Sequence, residues 1–192
     1  GPLFAADAKR DGYLRADPAS QPAVAAAILA ARQMTGTLEK PLYVRLEQSL
    51  CAHSRAEQVA CSNCLDLCPT GAISPDGDHV TIDPMICAGC GACSAVCPSG
   101  AISFDAPSVD STFARLTTLA QTYRKAGGTA PRLLVHDTEH GVEMIALAAR
   151  FGRGLPTDVI PLEVAALAAF GHAEAVAALG AGFADVAVLL SP

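Results

Sequence analysis

The sequence has 192 residues, a formal charge of −6, an alanine-rich composition and no tryptophan. It carries no basic stripe that would neutralise phosphates, which excludes nucleic acid as an expected partner. Its longest apolar runs are far shorter than the ~20 residues that a membrane-spanning helix needs, so no membrane span is expected.

The first predicted element is a helix near the amino end. Ser20 can cap this helix, Pro22 suits its first turn, and the alanine-rich run that follows has high helix propensity up to about Met34. We interpret residues 1–41 as an N-terminal helical segment with a packing role.

Residues 42–106 contain one cysteine-bearing segment twice. Tyr43 to Cys51 aligns with His79 to Cys87 at an offset of 36, and Cys61 to Ser74 aligns with Cys90 to Ser103 at an offset of 29. The first copy therefore has seven extra residues, all between its first and second cysteines. All eight cysteines of the sequence lie in this repeat, four in each copy.

The second copy reads C-x2-C-x2-C-x3-C-P from Cys87 to Pro98. On these residues, the stretch from about 42 to 106 resembles the bacterial two-cluster ferredoxins. The resemblance implies a pseudo-twofold module of paired strands and short helices around two [4Fe-4S] clusters, in which the cysteine before each proline binds the other cluster. It assigns a first set of ligands (Cys51, Cys61, Cys64, Cys97) and a second set (Cys68, Cys87, Cys90, Cys93).

Cys51 departs from the family pattern, because nine residues separate it from Cys61 where the family has two. Either Cys51 is the fourth ligand followed by an inserted loop, or it is free and the first cluster has three irons or uses another ligand such as His53. The residues before Cys51 align one by one with those before Cys87, so an insertion after a retained ligand explains more of the sequence.

Disulfides and a zinc site are the two structural alternatives for these thiols. Pairwise bridges between neighbours conflict with the tight C-x2-C-x2-C spacing. Zinc ribbons use two C-x2-C pairs about fifteen to twenty residues apart, without a third cysteine close behind. Both alternatives fit the repeat less well than two clusters do.

After Pro107 the pattern changes to alternating helices and strands. We predict a connecting helix within residues 107–128, with Asp110 as its cap and Lys125 near its end. In residues 129–192 we predict strands at Leu133 to His136, Asp158 to Pro161 and Val186 to Leu190, and helices at Glu139 to Phe151, Glu163 to Phe170 and Ala173 to Leu179. The predicted fold class is α+β, a pseudo-twofold dicluster ferredoxin module followed by a small parallel βαβαβ domain.

A second candidate site lies at the carboxyl edge of that sheet, where open parallel sheets bind ligands. His136, His140 and one of the nearby carboxylates are a candidate metal or substrate site. In the competing, structural interpretation, Asp137 or Thr138 caps a helix and His140 is solvated in its first turn.

Two further resemblances concern the biological setting. Val159 to Leu162 and Gly180 to Leu190 resemble the small iron-sulfur subunit of hydrogenase and heterodisulfide reductase assemblies, although that family has cysteines for a [2Fe-2S] centre here and this sequence has none after Cys97. The chain as a whole resembles ferredoxin-domain proteins of proteobacteria that accompany formate dehydrogenase and molybdoenzyme genes. The first residue, Gly1, and the apolar run at Ala184 to Ser191 indicate a piece of a longer polypeptide.

Together these resemblances imply a cytoplasmic electron-transfer module with two [4Fe-4S] clusters and a redox protein as its partner. Each oxidised cluster with four thiolates adds −2, so the loaded protein would carry roughly −10. An assembly or interaction protein with structural clusters is the alternative, and an enzyme that uses the 136–140 edge is a third. The sequence leaves the donor, the acceptor and the oligomeric state open.

Overall fold

The structure, a computed structural model, describes residues 14–37, 39–55 and 58–191. The chain divides into two compact units, Gly1–Glu39 and Lys40–Pro192. The helices are α1 (Gln21–Gln33), α2 (Asn63–Leu67), α3 (Ala92–Ala95), α4 (Val109–Lys125), α5 (His140–Phe151) and α6 (His172–Ala181). The strands are β1 (Val44–Leu46), β2 (Ser54–Arg55), β3 (Gln58–Val59), β4 (Ile73–Asp76), β5 (His79–Ile82), β6 (Ile102–Phe104), β7 (Arg132–His136), β8 (Val159–Glu163) and β9 (Asp185–Val188). This mixture of helices and strands agrees with the predicted α+β class.

The described part of the first unit contains helix α1. Its start is the predicted one: the Ser20 hydroxyl accepts a hydrogen bond from the backbone N–H of Ala23, and Pro22 lies in the first turn. At the other end the N–H of Met34 bonds to the carbonyl of Ala31. The predicted helix is therefore confirmed.

In the second unit, the cysteine repeat folds around two antiparallel strand pairs. Strand β1 pairs with β6, with Val44 opposite Phe104, and β4 pairs with β5, with Ile73 opposite Ile82. Each pair joins the strand before the first cysteine of one copy to the strand after the Cys-Pro of the other copy. This exchange brings the end of each copy next to the beginning of its twin.

A small apolar core lies between these strand pairs. Ile73, Val80 and Ile102 are buried, and cysteines from both copies pack against them. Alternate residues of a strand face the same side, so each short strand contributes one or two apolar side chains to this core. Burying each aliphatic side chain stabilises the fold by about 1.5–3 kcal/mol.

The carboxyl-terminal part is built on a three-stranded parallel sheet. Strand β7 is central, with β8 on one side and β9 on the other, and Arg132 lies opposite both Val159 and Asp185. The main hydrophobic core joins this sheet to helices α4 and α6 through Leu116, Ala120, Leu133, Val135, Leu162, Ala178 and Phe183. Helix α4, predicted as a connector, is therefore part of the core of the sheet.

Two glycines let the cysteine repeat pack closely against the parallel-sheet part. Gly91 has a left-handed φ of +73°, and a Cβ there would overlap the side chain of Ala169. A Cβ on Gly171 would lie 2.6 Å from the Cα of Ala95 in helix α3. Helix α3 thus contacts the 3₁₀ turn Leu167–Ala169 and the residue that precedes α6.

The predicted elements after residue 107 differ from the structure in two places. Ser108 caps α4 in place of Asp110, because its hydroxyl accepts from the N–H of Ser111. Residues from Glu163 were predicted to be helical, but β8 continues to Glu163, which lies opposite His136, and helical backbone in this stretch is limited to the 3₁₀ turn. Over the described residues, no helix combines the length and the apolar character needed to cross a bilayer.

Candidate metal centre

The four cysteines of the second set line one pocket. Cys87 and Cys90 lie in the loop before α3, and Cys93 lies within α3. Cys68 comes from the first copy and follows α2, whose C-terminal end leads to Pro69. The remaining walls are mainly apolar and include Ala72, Ile73 and Ile82.

The four cysteines of the first set line another pocket. Cys51 follows a 3₁₀ turn, Cys61 precedes α2, and Cys64 lies in α2. Cys97 comes from the second copy, after α3. The walls of this pocket also include Val80, Ile102 and His53.

All eight cysteines are half-buried free thiols. Within residues 14–37, 39–55 and 58–191, no group of three or more His, Cys, Asp or Glu side chains converges as a site for a single metal ion. A zinc site would need its sulfurs at about 2.3 Å from one point. A cubane is wider, because each thiolate binds a different iron, so sulfurs spread around a pocket suit a cluster better than one ion.

Burial opposes ionisation of the third cysteine of each copy, which is Cys64 in the first and Cys93 in the second. Burial raises the pKa of the Cys93 thiol to about 12, and the nearby charges of Cys90 and Cys87 add to the effect. Burial, followed by the charges of Cys61, Cys97 and Cys51, also raises the pKa of Cys64. Thiolates at these positions therefore need a positive centre to compensate their charge, as an iron-sulfur core would do.

Cys68, before the first proline, has a different environment. Burial alone would raise its pKa, but hydrogen bonds from the Thr70 hydroxyl and from the N–H groups of Thr70, Ala72 and Gly71 outweigh burial, and the pKa of Cys68 is lowered. The Thr70 oxygen lies 3.6 Å from the Cys68 sulfur. The loop is therefore arranged to stabilise a thiolate.

Cys97, before the second proline, repeats this arrangement. Burial is opposed by the N–H of Ile102, the hydroxyl and N–H of Ser99 and the N–H of Ala101, which together lower the pKa of Cys97. The Ser99 oxygen lies 3.7 Å and the Ile102 nitrogen 3.5 Å from the Cys97 sulfur. The two copies share the hydroxyl and N–H of Thr70 or Ser99 and the N–H of Ala72 or Ala101 as donors to sulfur, and they differ in the fourth donor, which is Gly71 for Cys68 and Ile102 for Cys97.

The inserted part of the first copy contains a short antiparallel ladder, β2 with β3, in which Ser54 lies opposite Val59 and Arg55 opposite Gln58. His53 stands at its base and is only 4% exposed. Its Nδ1 lies 2.9 Å from the carbonyl oxygen of Cys61, and its own carbonyl accepts from the N–H groups of Ala60 and Cys61. Cys51 and Cys61 line the same pocket although nine residues separate them.

At the second candidate site, at the carboxyl edge of the parallel sheet, His136 and Asp137 form hydrogen bonds with the backbone of the chain itself. His136 is buried, with its Nδ1 2.8 Å from the carbonyl of Asp137, and it packs beneath Gly141 at the start of α5. The cap position of α5 is Glu139, and the Asp137 carboxylate accepts from the N–H groups of Glu139 and Gly141 at the start of the helix, a role close to the cap that the structural interpretation expects. His140 is half-buried in the first turn. A role for His136 and His140 in binding stays a prediction.

Sequence reasoning had not identified Thr70 and Ser99 as functional residues. A signal was available, because the repeat aligns these two hydroxyl residues with each other, each two residues after a Cys-Pro cysteine. The hydrogen bonds of His53 had no comparable signal, since the second copy has no equivalent of the insertion.

Comparison with known families gives one match. Residues 59–101 match a 4Fe-4S dicluster domain, a stretch that includes seven of the eight cysteines and leaves Cys51 outside. No curated protein matches the chain. The match indicates [4Fe-4S] clusters in this part of the chain and, with them, electron transfer.

Proposed function

We propose that the chain transfers electrons through two [4Fe-4S] clusters, to or from a redox protein partner. The observation that carries this proposal is the pair of pockets, each lined by three cysteines of one copy and one cysteine of the other. In this proposal the first set holds one cluster and the second set holds the other. When bound, each cluster would take up and release a single electron.

The chain supplies both the ligands and their surroundings. Ile73 and Ile82 at one pocket, and Val80 and Ile102 at the other, limit access of water. Apolar surroundings disfavour the more negative, reduced state, whereas hydrogen bonds to the cysteine sulfurs favour it. The balance of these two effects would set the potential at each pocket.

We assign Cys51 as a ligand, not as a free thiol. It lines the pocket of the first set, and its charge is among those that raise the pKa of Cys64. The family match begins after Cys51, so this assignment depends on the pocket and on the alignment of the repeat.

Iron and sulfide analysis of anaerobically prepared protein tests the proposal. The full chain should contain about eight irons, and Cys51→Ala should contain about seven with a three-iron EPR signal in the oxidised protein. Ser49→Ala, which changes a residue of the 3₁₀ turn that precedes Cys51, is a matched control and should retain about eight irons. A wild-type content of about seven would remove Cys51 from the ligand set, and absence of iron would overturn the proposed function.

A second candidate function is an assembly or interaction protein with structural clusters. Helix α5 favours it, because Val142, Met144, Leu147 and Phe151 are exposed apolar side chains on this helix. Reduction by a donor of physiological strength separates the two functions, since clusters that only stabilise the fold need not change oxidation state.

The finer features of the setting stay predictions. A cytoplasmic location, an association with formate dehydrogenase or molybdoenzymes, and the kinship of residues 129–192 with hydrogenase-type small subunits rest on composition and resemblance. The proposed domain limits are 1–41, 42–106, 107–128 and 129–192. The contacts of α4 with the core of the sheet support grouping the third segment with the fourth.

A further inference from the structure

His53 links the two ends of the inserted segment through three hydrogen bonds. Its carbonyl oxygen accepts from the N–H of Ala60 at 2.8 Å and from the N–H of Cys61 at 3.2 Å. Its ring nitrogen Nδ1 lies 2.9 Å from the carbonyl oxygen of Cys61. A carbonyl oxygen only accepts, so Nδ1 must carry the proton and donate.

The buried position of the ring gives this side-chain bond weight. The ring lines a pocket whose other walls are largely apolar, and the residue is 4% exposed. A buried polar group that loses its hydrogen-bond partner is destabilising, because water cannot replace that partner. Loss of the donor from His53 would leave the Cys61 carbonyl without the bond that ties it back to the residues after Cys51.

The insertion creates a need for such a link. In the second copy, two residues join Cys87 to Cys90, so the chain itself keeps their sulfurs close. In the first copy, Cys61 comes ten residues after Cys51, and a fully extended backbone of that length spans about 33 Å. His53 provides a shorter link between the two cysteines. It is the second residue after Cys51, and its ring forms a hydrogen bond with the carbonyl of Cys61.

A neighbouring contact fixes the same segment to the repeat. The N–H of Ser54 donates to the carbonyl of Asp78, which lies in the turn between β4 and β5. His53 is therefore held from both sides, by Cys61 and by the residue that follows it.

We propose that His53 is a positioning residue, whose ring N–H to the Cys61 carbonyl holds Cys51 beside Cys61, Cys64 and Cys97 despite the insertion. This inference rests on the proposed function, because it assumes that the first set binds a cluster. In this inference His53 positions the ligand Cys51 and does not itself bind iron.

Two substitutions separate these roles. His53→Asn keeps an N–H donor on the atom that follows Cγ, at the place of Nδ1, but lacks the far ring nitrogen Nε2. His53→Leu has a similar branched shape and no donor. Iron content and EPR of the oxidised protein are measured for the wild type and for both variants in the full chain, with Cys51→Ala as the reference for a missing fourth ligand.

The proposal predicts a difference between the two variants. Wild type and His53→Asn should contain about eight irons, whereas His53→Leu should contain about seven and show the three-iron EPR signal of Cys51→Ala. If His53→Leu fails to assemble either cluster while His53→Asn assembles both, the donated hydrogen bond still accounts for the difference, and the proposal is supported.

Equal behaviour of the two variants overturns the proposal. If both keep eight irons, the chain positions Cys51 without His53. If both lose iron, Nε2 or the ring itself is needed, and His53 acts as a ligand or through packing. A wild type with about seven irons would instead overturn the assignment of Cys51, and with it this inference, so the two failures are distinguishable.

Discussion

The hydroxyl of Thr70 lies 3.6 Å from the sulfur of Cys68, and the same relationship recurs between Ser99 and Cys97 at 3.7 Å. A cysteine bound to iron is a thiolate and cannot donate, so in the loaded protein each hydroxyl would donate to sulfur. Each of these hydroxyls belongs to one copy, while its cysteine completes the set of the other copy.

Thr70→Val should lower the reduction potential of the cluster held by Cys87, Cys90 and Cys93. Loss of one hydrogen bond that favours the reduced state is worth about 1 kcal/mol, or about 40 mV for one electron. Redox titration followed by EPR measures the shift, and Ser99→Ala should shift the other cluster instead. Thr70→Ser, which keeps the hydroxyl, should resemble the wild type. A shift of the first-set cluster in Thr70→Val would contradict the exchange of the fourth cysteine.

The two clusters should have unequal potentials. His53, at the base of the inserted segment, lines the pocket of the first set and not that of the second, so we expect the insertion to change solvent access at the first pocket. Redox titration of the wild type should give two midpoints. Deletion of residues 53–59 restores a two-residue spacing between Cys51 and Cys61 and should bring the midpoints closer. A single wave with identical midpoints in the wild type would refute this asymmetry.

Gly91→Ala should destabilise the protein more than Gly100→Ala does. Both glycines have left-handed φ values, +73° and +69°, where a side chain costs about 1–2 kcal/mol. Only Gly91 faces close neighbours, Ala169 and Phe104, and overpacking adds about 1–3 kcal/mol. Midpoints of denaturant unfolding at equal iron content check this prediction, and equal losses would show that the contact with Ala169 contributes nothing.

His136→Ala should lower stability by about 1–3 kcal/mol, because the ring is buried and bonds to the carbonyl of Asp137. His140→Ala should have little effect on stability, since His140 is half-buried at the start of a helix. Thermal unfolding distinguishes the two variants. The metal content of the double variant, His136→Ala with His140→Ala, is measured as well. A content of iron or of another metal below that of the wild type would indicate a binding site at this edge of the sheet.

The cysteine spacing was the most informative part of the sequence for the site. The C-x2-C-x2-C-x3-C-P spacing of the second copy, and its repeat from Cys61 to Pro69 in the first, predict which sulfurs lie near one another through the resemblance to two-cluster ferredoxins. The three hydrogen bonds of His53 could not be predicted, since they join residues across an insertion that has no equivalent in the second copy.

Local signals were less reliable after residue 107. Asp and Ser are both residue types that often cap helices, so Asp110 and Ser108 were both candidates. The helix begins directly after Ser108, whose hydroxyl therefore caps it. Glu163 has a good helix propensity, but the ladder with His136 keeps it in a strand, which is a case of tertiary pairing overriding local preference. Leu116 and Ala120 lie four residues apart on one face of α4, a spacing that indicates a buried helix face and not an exposed connector.

The exchange of cysteines between the two copies has a consequence for synthesis on the ribosome. The second set becomes complete only when Cys93 has been made, and the first only with Cys97, four residues later. The nascent chain therefore carries six thiols, from Cys51 to Cys90, before either set can close. In the proposed function, iron delivery would therefore await nearly the whole repeat, and both sets would become ready for loading almost simultaneously.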